Sequence, residues 1–137
     1  MNSLLNAARP PLLCPGCAHE RITHSLDQAF QNMKLSGSQI VIVSDIGCSG
    51  LFDTFFHTHA MHGLHGRALT YAAGLKMARP ELNVVVTMGD GGQGIGGDAG
   101  ADDPAPGREP LHVAQLGHDA VGIVLPLPHV AHVAGAL

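Results

Sequence analysis

The sequence contains no tryptophan, one tyrosine and four phenylalanines, so aromatic residues make up only 4% of its 137 residues. Charged residues are also scarce, at 13%, and seven basic against eleven acidic residues give a formal net charge of −4. Proteins that bind single-stranded nucleic acid stack bases on aromatic side chains, and proteins that bind duplexes neutralise phosphates with lysine and arginine. The composition therefore argues against a nucleic-acid partner.

Long apolar runs are missing too. The longest apolar stretches are well short of the roughly 20 residues that a membrane-spanning helix requires. The first residues lack the basic segment and apolar run of a signal peptide. Three cysteines cannot all pair, which argues against a disulfide scaffold and favours reduced thiols. We therefore expect a globular cytoplasmic protein with no membrane partner.

The three cysteines lie in two motifs with metal-binding character. Cys14 and Cys17 belong to a Cys-Pro-Gly-Cys turn, and Cys48 belongs to a Gly-Cys-Ser-Gly segment. A two-residue gap lets two thiolates reach one metal centre, and a third thiolate from a later turn completes one face of it. By ligand type the site suits an iron–sulfur cluster or, with His19 or His24 as a further ligand, zinc.

A carboxylate between glycines forms a second kind of candidate site. Gly89, Asp90 and Gly91 directly follow an apolar run. Carboxylate oxygens are ligands for magnesium, and glycines allow a backbone to approach a phosphate closely. A soft-metal site and a hard-metal site in one chain suggest redox chemistry coupled to a phosphorylated cofactor.

The apolar pattern predicts an α/β fold, with a parallel sheet flanked by helices. The predicted elements are a helix at 18–35, a strand at 39–44, a helix at 67–79 and a strand at 82–88. Both strands are continuous β-branched runs, as expected of strands buried on both faces. In such sheets ligands bind beyond the carboxyl ends of the strands, where Cys48 and Asp90 both lie.

Four histidines lie between the first predicted strand and the second predicted helix: His57, His59, His62 and His65. Their spacings occur in metal sites, but imidazole clusters without acidic or cysteine support are weak signals. The sequence therefore favours a polar loop that covers a bound cofactor, and not a dedicated metal site.

The composition changes after about residue 98. Residues 99–137 lack serine, threonine, asparagine, lysine, cysteine, methionine, phenylalanine and tyrosine, and residues 98–110 carry three prolines. Residues 121–125 could form a weak strand, ended by the prolines that follow. We predict one domain at 1–98 and a poorly specified tail at 99–137, and the hypothesis for the tail is an out-of-frame translation or another foreign end.

Four motifs in order resemble one family, the β subunit of the 2-oxoacid:ferredoxin oxidoreductases, which binds thiamine diphosphate. They are Cys-Pro-Gly-Cys-Ala-His at 14–19, Asp-Ile-Gly-Cys-Ser-Gly at 45–50, Leu-His-Gly-Arg-Ala-Leu at 64–69 and Gly-Asp-Gly at 89–91. The resemblance runs from about residue 12 to about residue 97. It implies the amino-terminal part of a thiamine-diphosphate-binding fold, truncated or frameshifted after about residue 98.

The resemblance also implies site residues. Cys14, Cys17 and Cys48 would bind a [4Fe-4S] cluster, and Asp90 would bind the magnesium ion that bridges the diphosphate. The residues implied for the cofactor itself are Ile46, Gly47, Cys48, Ser49, His65, Gly66, Arg67, Gly89, Asp90 and Gly91. No catalytic residue is assigned.

Two departures from the family pattern bear on activity. The sequence has no fourth cysteine and no asparagine after Asn83, whereas the family closes its cluster with a later cysteine and its magnesium site with later asparagines. We expect an incomplete, labile cluster, or a fourth ligand from a partner, and a chain that is inactive alone.

Complete relatives oxidatively decarboxylate a 2-oxoacid with coenzyme A and pass electrons to ferredoxin. The implied partners are therefore an α subunit of the same complex, ferredoxin, the 2-oxoacid and coenzyme A. Two alternatives stay open: a non-catalytic zinc-binding module, and a thiamine-dependent decarboxylase without redox chemistry.

Overall fold

The computed structural model describes residues 2–89, together with the backbone of 112–116 and 121–125. The helices are α1 (Ala18–Asn32), α2 (Phe52–Phe55) and α3 (Ala68–Ala78), with short 3-10 turns at Gly37–Gln39 and Cys48–Leu51. The strands are β1 (Ile40–Ser44), β2 (His59–His62), β3 (Asn83–Thr87), β4 (His112–Leu116) and β5 (Val121–Leu125). None of the helices in these ranges is long and apolar enough to cross a bilayer.

The strands form one sheet in the order β2-β1-β3-β5-β4. β1 pairs in parallel with both β2 and β3, and Val41 is opposite His59 on one side and Val84 on the other. β5 and β4 add antiparallel pairs beyond β3. Because β1, β2 and β3 run in the same direction, the segments that follow them meet at the end of the sheet where these strands finish, called here the carboxyl edge.

Each face of the sheet packs against different helices. Ile40, Ile42 and Val85 lie in a core cluster that contains Leu26 of α1 and Phe52 of α2. The strand residues of opposite parity, Val41, Val43, Val84 and Val86, cluster with Ala68 and Ala72 of α3. This two-sided burial explains why the strands are unbroken apolar runs, because both sets of alternating side chains must leave water.

The predicted α/β fold is confirmed, with differences in detail. Helix α1 ends at Asn32, three residues before its predicted end, and the chain turns through Lys34 with a φ of 55°. The sheet is parallel only over its first three strands. β5 coincides with the predicted weak strand at 121–125, while the predicted boundary at residue 98 lies outside the described residues and stays a prediction.

A buried lysine joins the end of α3 to the start of β3. The Lys76 ammonium group donates hydrogen bonds to the carbonyl oxygens of Pro80 and Leu82, at 2.7 and 2.8 Å. Burial lowers the pKa of Lys76 below its ordinary value of 10.5, and the nearby Glu81 carboxylate partly opposes that shift. The folded protein therefore holds this proton less tightly than the unfolded chain.

We expect Lys76→Met to remove a pH-dependent part of the stability. Between the lowered pKa and 10.5 the unfolded state binds more protons at Lys76, so the stability of the parent protein rises with pH relative to the variant. Urea unfolding from neutral pH to about 10.5 measures this difference. Lys34→Met, at an exposed lysine, is the control and should give a flat difference. If the stability difference between the parent and Lys76→Met stays constant or falls as the pH rises, the lowered pKa of Lys76 is contradicted.

Candidate functional site: loops at the carboxyl edge of the sheet

The Cys-Pro-Gly-Cys motif forms a tight turn just before α1. The Cys17 N–H donates to the Cys14 carbonyl oxygen at 2.9 Å, and Gly16 has a φ of 77°. Proline at the second position and a positive-φ glycine at the third are the sequence signature of a type II turn. The sequence therefore determines that both sulfur atoms leave one turn; Cys14 is exposed and Cys17 is half-buried.

A histidine and a phenylalanine connect this turn to the segment that contains Cys48. The Cys17 sulfur lies 3.2 Å from Nδ1 of His19. The His19 ring in turn packs edge-on against Phe52, with ring centroids 5.9 Å apart. Phe52 is the first residue of α2 and directly follows the 3-10 turn Cys48–Leu51. The two cysteine motifs are thus neighbours through one layer of side chains.

Cys48 lies in a turn that only glycine can begin. Gly47 has φ 93° and ψ −154°, a conformation that is essentially restricted to glycine. The Cys48 side chain is exposed, whereas Ser49 directly after it is buried. The Ser49 hydroxyl donates to the Ile46 carbonyl oxygen at 3.3 Å, which closes the turn on itself.

A buried chain of hydroxyl groups fixes this turn to the sheet. The Thr87 hydroxyl of β3 donates to the Ser49 carbonyl oxygen at 2.9 Å. Because its one proton is used there, Thr87 accepts from the Ser44 hydroxyl of β1, 3.1 Å away. Most buried hydroxyl groups in proteins are paired in this way, because leaving one unpaired costs free energy. The Cys48 turn is therefore attached to the two central strands.

Asp45 joins two loops at this edge. It follows β1 directly and is completely buried. One carboxylate oxygen accepts from the Ile46 N–H at 2.7 Å and lies 3.1 Å from Nδ1 of His65. The Gly66 N–H donates to both oxygens, at 3.1 and 3.0 Å. One side chain thus holds the turn after β1 against the loop between β2 and α3.

These contacts bear on the residues predicted to bind a cofactor. The N–H groups of Ile46 and Gly66 are already donated to Asp45, so these two residues shape the loops. The Arg67 N–H is likewise donated, to the Leu64 carbonyl oxygen at 3.0 Å, and its side chain is exposed. His65 keeps 47% of its side chain exposed. His65 and Arg67 thus keep exposed side chains on this loop, and their contacts with a cofactor stay a prediction.

The third strand also ends at this edge, at Thr87, and Met88 and Gly89 follow it. Gly89 has open space where a side chain would stand. Asp90 and Gly91, the predicted magnesium ligand and its neighbour, lie outside the described residues. Their placement stays a prediction.

The histidine-rich segment is only partly the polar loop that the sequence favoured, because His57 and His65 lie outside the strands whereas His59 and His62 do not. His59–His62 forms β2, an outermost strand of the sheet, which pairs in parallel with β1. His62 contacts Asp53 of α2, with Nδ1 and Oδ2 3.3 Å apart. A strand of His-Ala-Met-His lacks the β-branched residues that mark strands, so only its pairing with β1 reveals it.

The thiolates match the donor chemistry of an iron–sulfur cluster, but they are not assembled as a formed site. Across residues 2–89, no three His, Cys, Asp or Glu side chains are grouped so that they hold a metal ion. Cys14 and Cys17 share a turn, and Cys48 lies on the neighbouring one.

Sequence reasoning missed Asp45, the residue that organises this edge. The sequence placed it directly after a predicted strand and at the start of the 45–50 motif, but gave it no role of its own. The one available signal is its position: a carboxylate directly after a buried strand and before a glycine-containing turn, the same setting that drew attention to Asp90. Its partners His65 and Gly66 are 20 and 21 positions away, which no local pattern reveals.

A family model and individual relatives match this part of the chain. Residues 45–99 match the thiamine pyrophosphate enzyme C-terminal TPP-binding domain, a match that begins at Asp45. The β subunit of a 2-oxoacid:ferredoxin oxidoreductase from Saccharolobus solfataricus is 49% identical over 86 residues, covering 61% of this chain and 28% of that protein. A β subunit from Aeropyrum pernix is 40% identical over 107 residues, covering 77% and 33%.

A solved structure is also similar to this chain. The 2-oxoglutarate:ferredoxin oxidoreductase from Magnetococcus marinus, determined with 2-oxoglutarate, coenzyme A and succinyl-CoA bound, superposes with a TM-score of 0.64 and is 38% identical. The match covers 68% of this chain and 32% of that one. The chain thus spans about a third of the length of the proteins it matches. It is a relative of the β subunits of the 2-oxoacid:ferredoxin oxidoreductases, an enzyme family, as its motifs predict.

Proposed function

We propose that this chain binds thiamine diphosphate at the carboxyl edge of its sheet, as part of an enzyme that oxidatively decarboxylates a 2-oxoacid. The observation that carries the proposal is the joining of two loops by Asp45, at the residue where the match to a thiamine-binding domain begins. Ligands of parallel α/β sheets bind at this edge. Thiamine diphosphate held there would supply the carbanion chemistry that decarboxylation of a 2-oxoacid needs.

The residues of the two loops have separate parts in this proposal. Gly47, Cys48 and Ser49 form one wall, and the exposed side chains of His65 and Arg67 form the other. A guanidinium group makes charge-assisted hydrogen bonds to phosphate oxygens, which suits Arg67 to the diphosphate. Gly89, Asp90 and Gly91 complete the proposal, and Asp90 would be a ligand of the magnesium ion that accompanies the cofactor.

The redox part of the proposal rests on the cysteines. Cys14, Cys17 and Cys48 are free thiols at two neighbouring turns, and thiolates are the donors that iron–sulfur clusters take. A [4Fe-4S] cluster there would receive electrons from the cofactor and pass them to ferredoxin. The sequence has three cysteines, so a fourth ligand would come from an α subunit or another source outside these 137 residues. Coenzyme A would accept the acyl group, and a reducing compartment such as the cytoplasm would keep the thiols free.

Anaerobic reconstitution with iron and sulfide tests the redox part. We expect a brown but labile cluster with up to about four irons per chain, and loss of that iron in Cys14→Ser and Cys48→Ser. One competitor is a zinc module, favoured by the 3.2 Å contact between Cys17 and His19. Stoichiometric zinc without iron uptake or thiamine binding would support that module and contradict the proposal.

Titration calorimetry with thiamine diphosphate and magnesium tests the cofactor part. We expect one saturable site, weakened in Gly47→Ala because any side chain strains this turn by about 1–3 kcal/mol. Gly74→Ala is the matched control: Gly74 also has open space around it, but it lies in α3. Equal affinities of the two variants would contradict a cofactor site at the Cys48 turn. Binding without any iron uptake would favour a decarboxylase that lacks redox chemistry.

A further inference from the structure

The contacts of Asp45 are more numerous than loop closure requires. The Gly66 N–H bridges both carboxylate oxygens and the Ile46 N–H binds one of them, so the backbone contacts alone tie the two loops together. The contact with Nδ1 of His65, at 3.1 Å, is an addition to this arrangement. The His65 ring is 47% exposed, so packing does not account for its position.

We propose that Asp45 is a positioning residue, which fixes the orientation and the tautomer of His65 for the bound cofactor; this rests on the proposed thiamine-diphosphate site. An ionised carboxylate only accepts hydrogen bonds, so Nδ1 of His65 must carry a hydrogen. The neutral ring then has no hydrogen on Nε2. In most exposed histidines the hydrogen sits on Nε2, so Asp45 reverses the ordinary preference.

The tautomer determines what the far side of the ring can bind. With Nδ1–H donated to Asp45, the neutral ring presents Nε2 as an acceptor, suited to a hydroxyl or amino group of a ligand. The buried Asp45 carboxylate holds the ring in this orientation, as the hydrogen-bond partners of metal-binding histidines commonly do.

A second aspartate–histidine pair in the chain supplies a matched control. Asp53 contacts Nδ1 of His62 at 3.3 Å, and the His62 side chain is also 47% exposed. Unlike Asp45, Asp53 is half-buried and belongs to α2. Asp53→Asn should therefore affect the His62 ring and leave the His65 ring unchanged.

Nitrogen-15 NMR of the metal-free, reduced chain reads the tautomer directly, without any cofactor. We expect the neutral His65 ring to carry its hydrogen on Nδ1, with the signal assigned by its loss in His65→Gln. In Asp45→Asn the signal should move toward the Nε2–H form, whereas Asp53→Asn should leave it in place. A parent His65 that carries its hydrogen on Nε2 would overturn the proposal, even if Asp45→Asn failed to fold.

Thiamine-diphosphate affinity tests whether this positioning matters to binding. Asp45→Asn should weaken binding on the order of tenfold, the lower end of the loss that follows removal of the partner of a metal-binding histidine. In a His65→Ala background the same change should have a much smaller effect, because its target is gone. An equal loss in both backgrounds would show that Asp45 acts only through the backbone and would overturn the positioning role.

The two readouts separate this inference from the proposed function. If the parent chain has His65 in the Nδ1–H form but binds no thiamine diphosphate, the proposed function is contradicted. The cofactor part of the inference is then contradicted with it. A chain that binds thiamine diphosphate with His65 in the Nε2–H form would leave the proposed function standing and sink the inference alone.

Discussion

Replacing Phe52 with alanine is expected to lower the free energy of unfolding by about 3–5 kcal/mol, the usual cost of emptying a buried phenylalanine site. Phe52 is completely buried and is the largest side chain in that class in the described part of the chain. It contacts the rings of His19 and Phe55 at centroid distances of 5.9 and 5.8 Å. Its removal would leave a cavity between α1, α2 and the sheet that these rings cannot fill by small movements.

The same change should also disturb the cysteine motifs, since Phe52 connects them. His19 contacts both Cys17 and Phe52, so a collapse of the cavity would move the Cys17 sulfur relative to the Cys48 turn. Denaturant unfolding measures the stability loss. Leu51→Ala is the control, because Leu51 is the adjacent residue and is 43% exposed; we expect a change within about 0.5 kcal/mol. Similar losses for both variants would contradict the packing described here.

Gly50→Ala is expected to cost about 1–3 kcal/mol through overpacking. A Cβ atom at Gly50 would lie 2.5 Å from the Asp45 carbonyl oxygen and 3.1 Å from Cε1 of His62. The first of these neighbours is backbone at the end of β1, which cannot rotate away. The turn must therefore shift, and with it the Ser49 carbonyl oxygen that accepts from Thr87.

We expect Gly50→Ala to weaken thiamine-diphosphate binding as well as stability, which distinguishes it from ordinary surface changes. Thermal unfolding and thiamine-diphosphate titration of the same sample would report both effects. Gly74→Ala again serves as the control, because alanine is favoured over glycine in a helix by about 0.5–1 kcal/mol. A Gly50→Ala protein as stable as the Gly74→Ala protein would show that the Cys48 turn does not lie against Asp45.

The central part of the fold is predictable from sequence because its elements are buried on both faces. β1 and β3 contain unbroken runs of isoleucine and valine, at 40–43 and 84–86, and such runs have few structural interpretations. Helix α1 has apolar residues at helical spacing, with Leu26 and Phe30 in the core as expected. The type II turn at Cys14–Cys17 follows from its proline and glycine alone.

The parts that escaped prediction depend on contacts between distant residues. β2 is short and exposed and is a strand only because β1 lies beside it. The antiparallel pairing of β5 with β3 is equally non-local. In the site, the contacts of the Ile46 and Gly66 N–H groups with Asp45 were not foreseen, whereas the predicted cofactor contacts of these two residues stay predictions. Local sequence identifies the loops of the site, whereas the residue that joins them emerges only in three dimensions.

The central claim is that two loops, held together by Asp45, form a thiamine-diphosphate site at one edge of the sheet. The most direct test is an NMR titration of the chain with thiamine diphosphate and magnesium, followed through the backbone amide signals. We predict saturable shifts concentrated in residues 46–49 and 65–67, with little change at the opposite edge, in residues 37–39. Shifts at 37–39 with none at the two loops, or no shifts at all, would contradict the account.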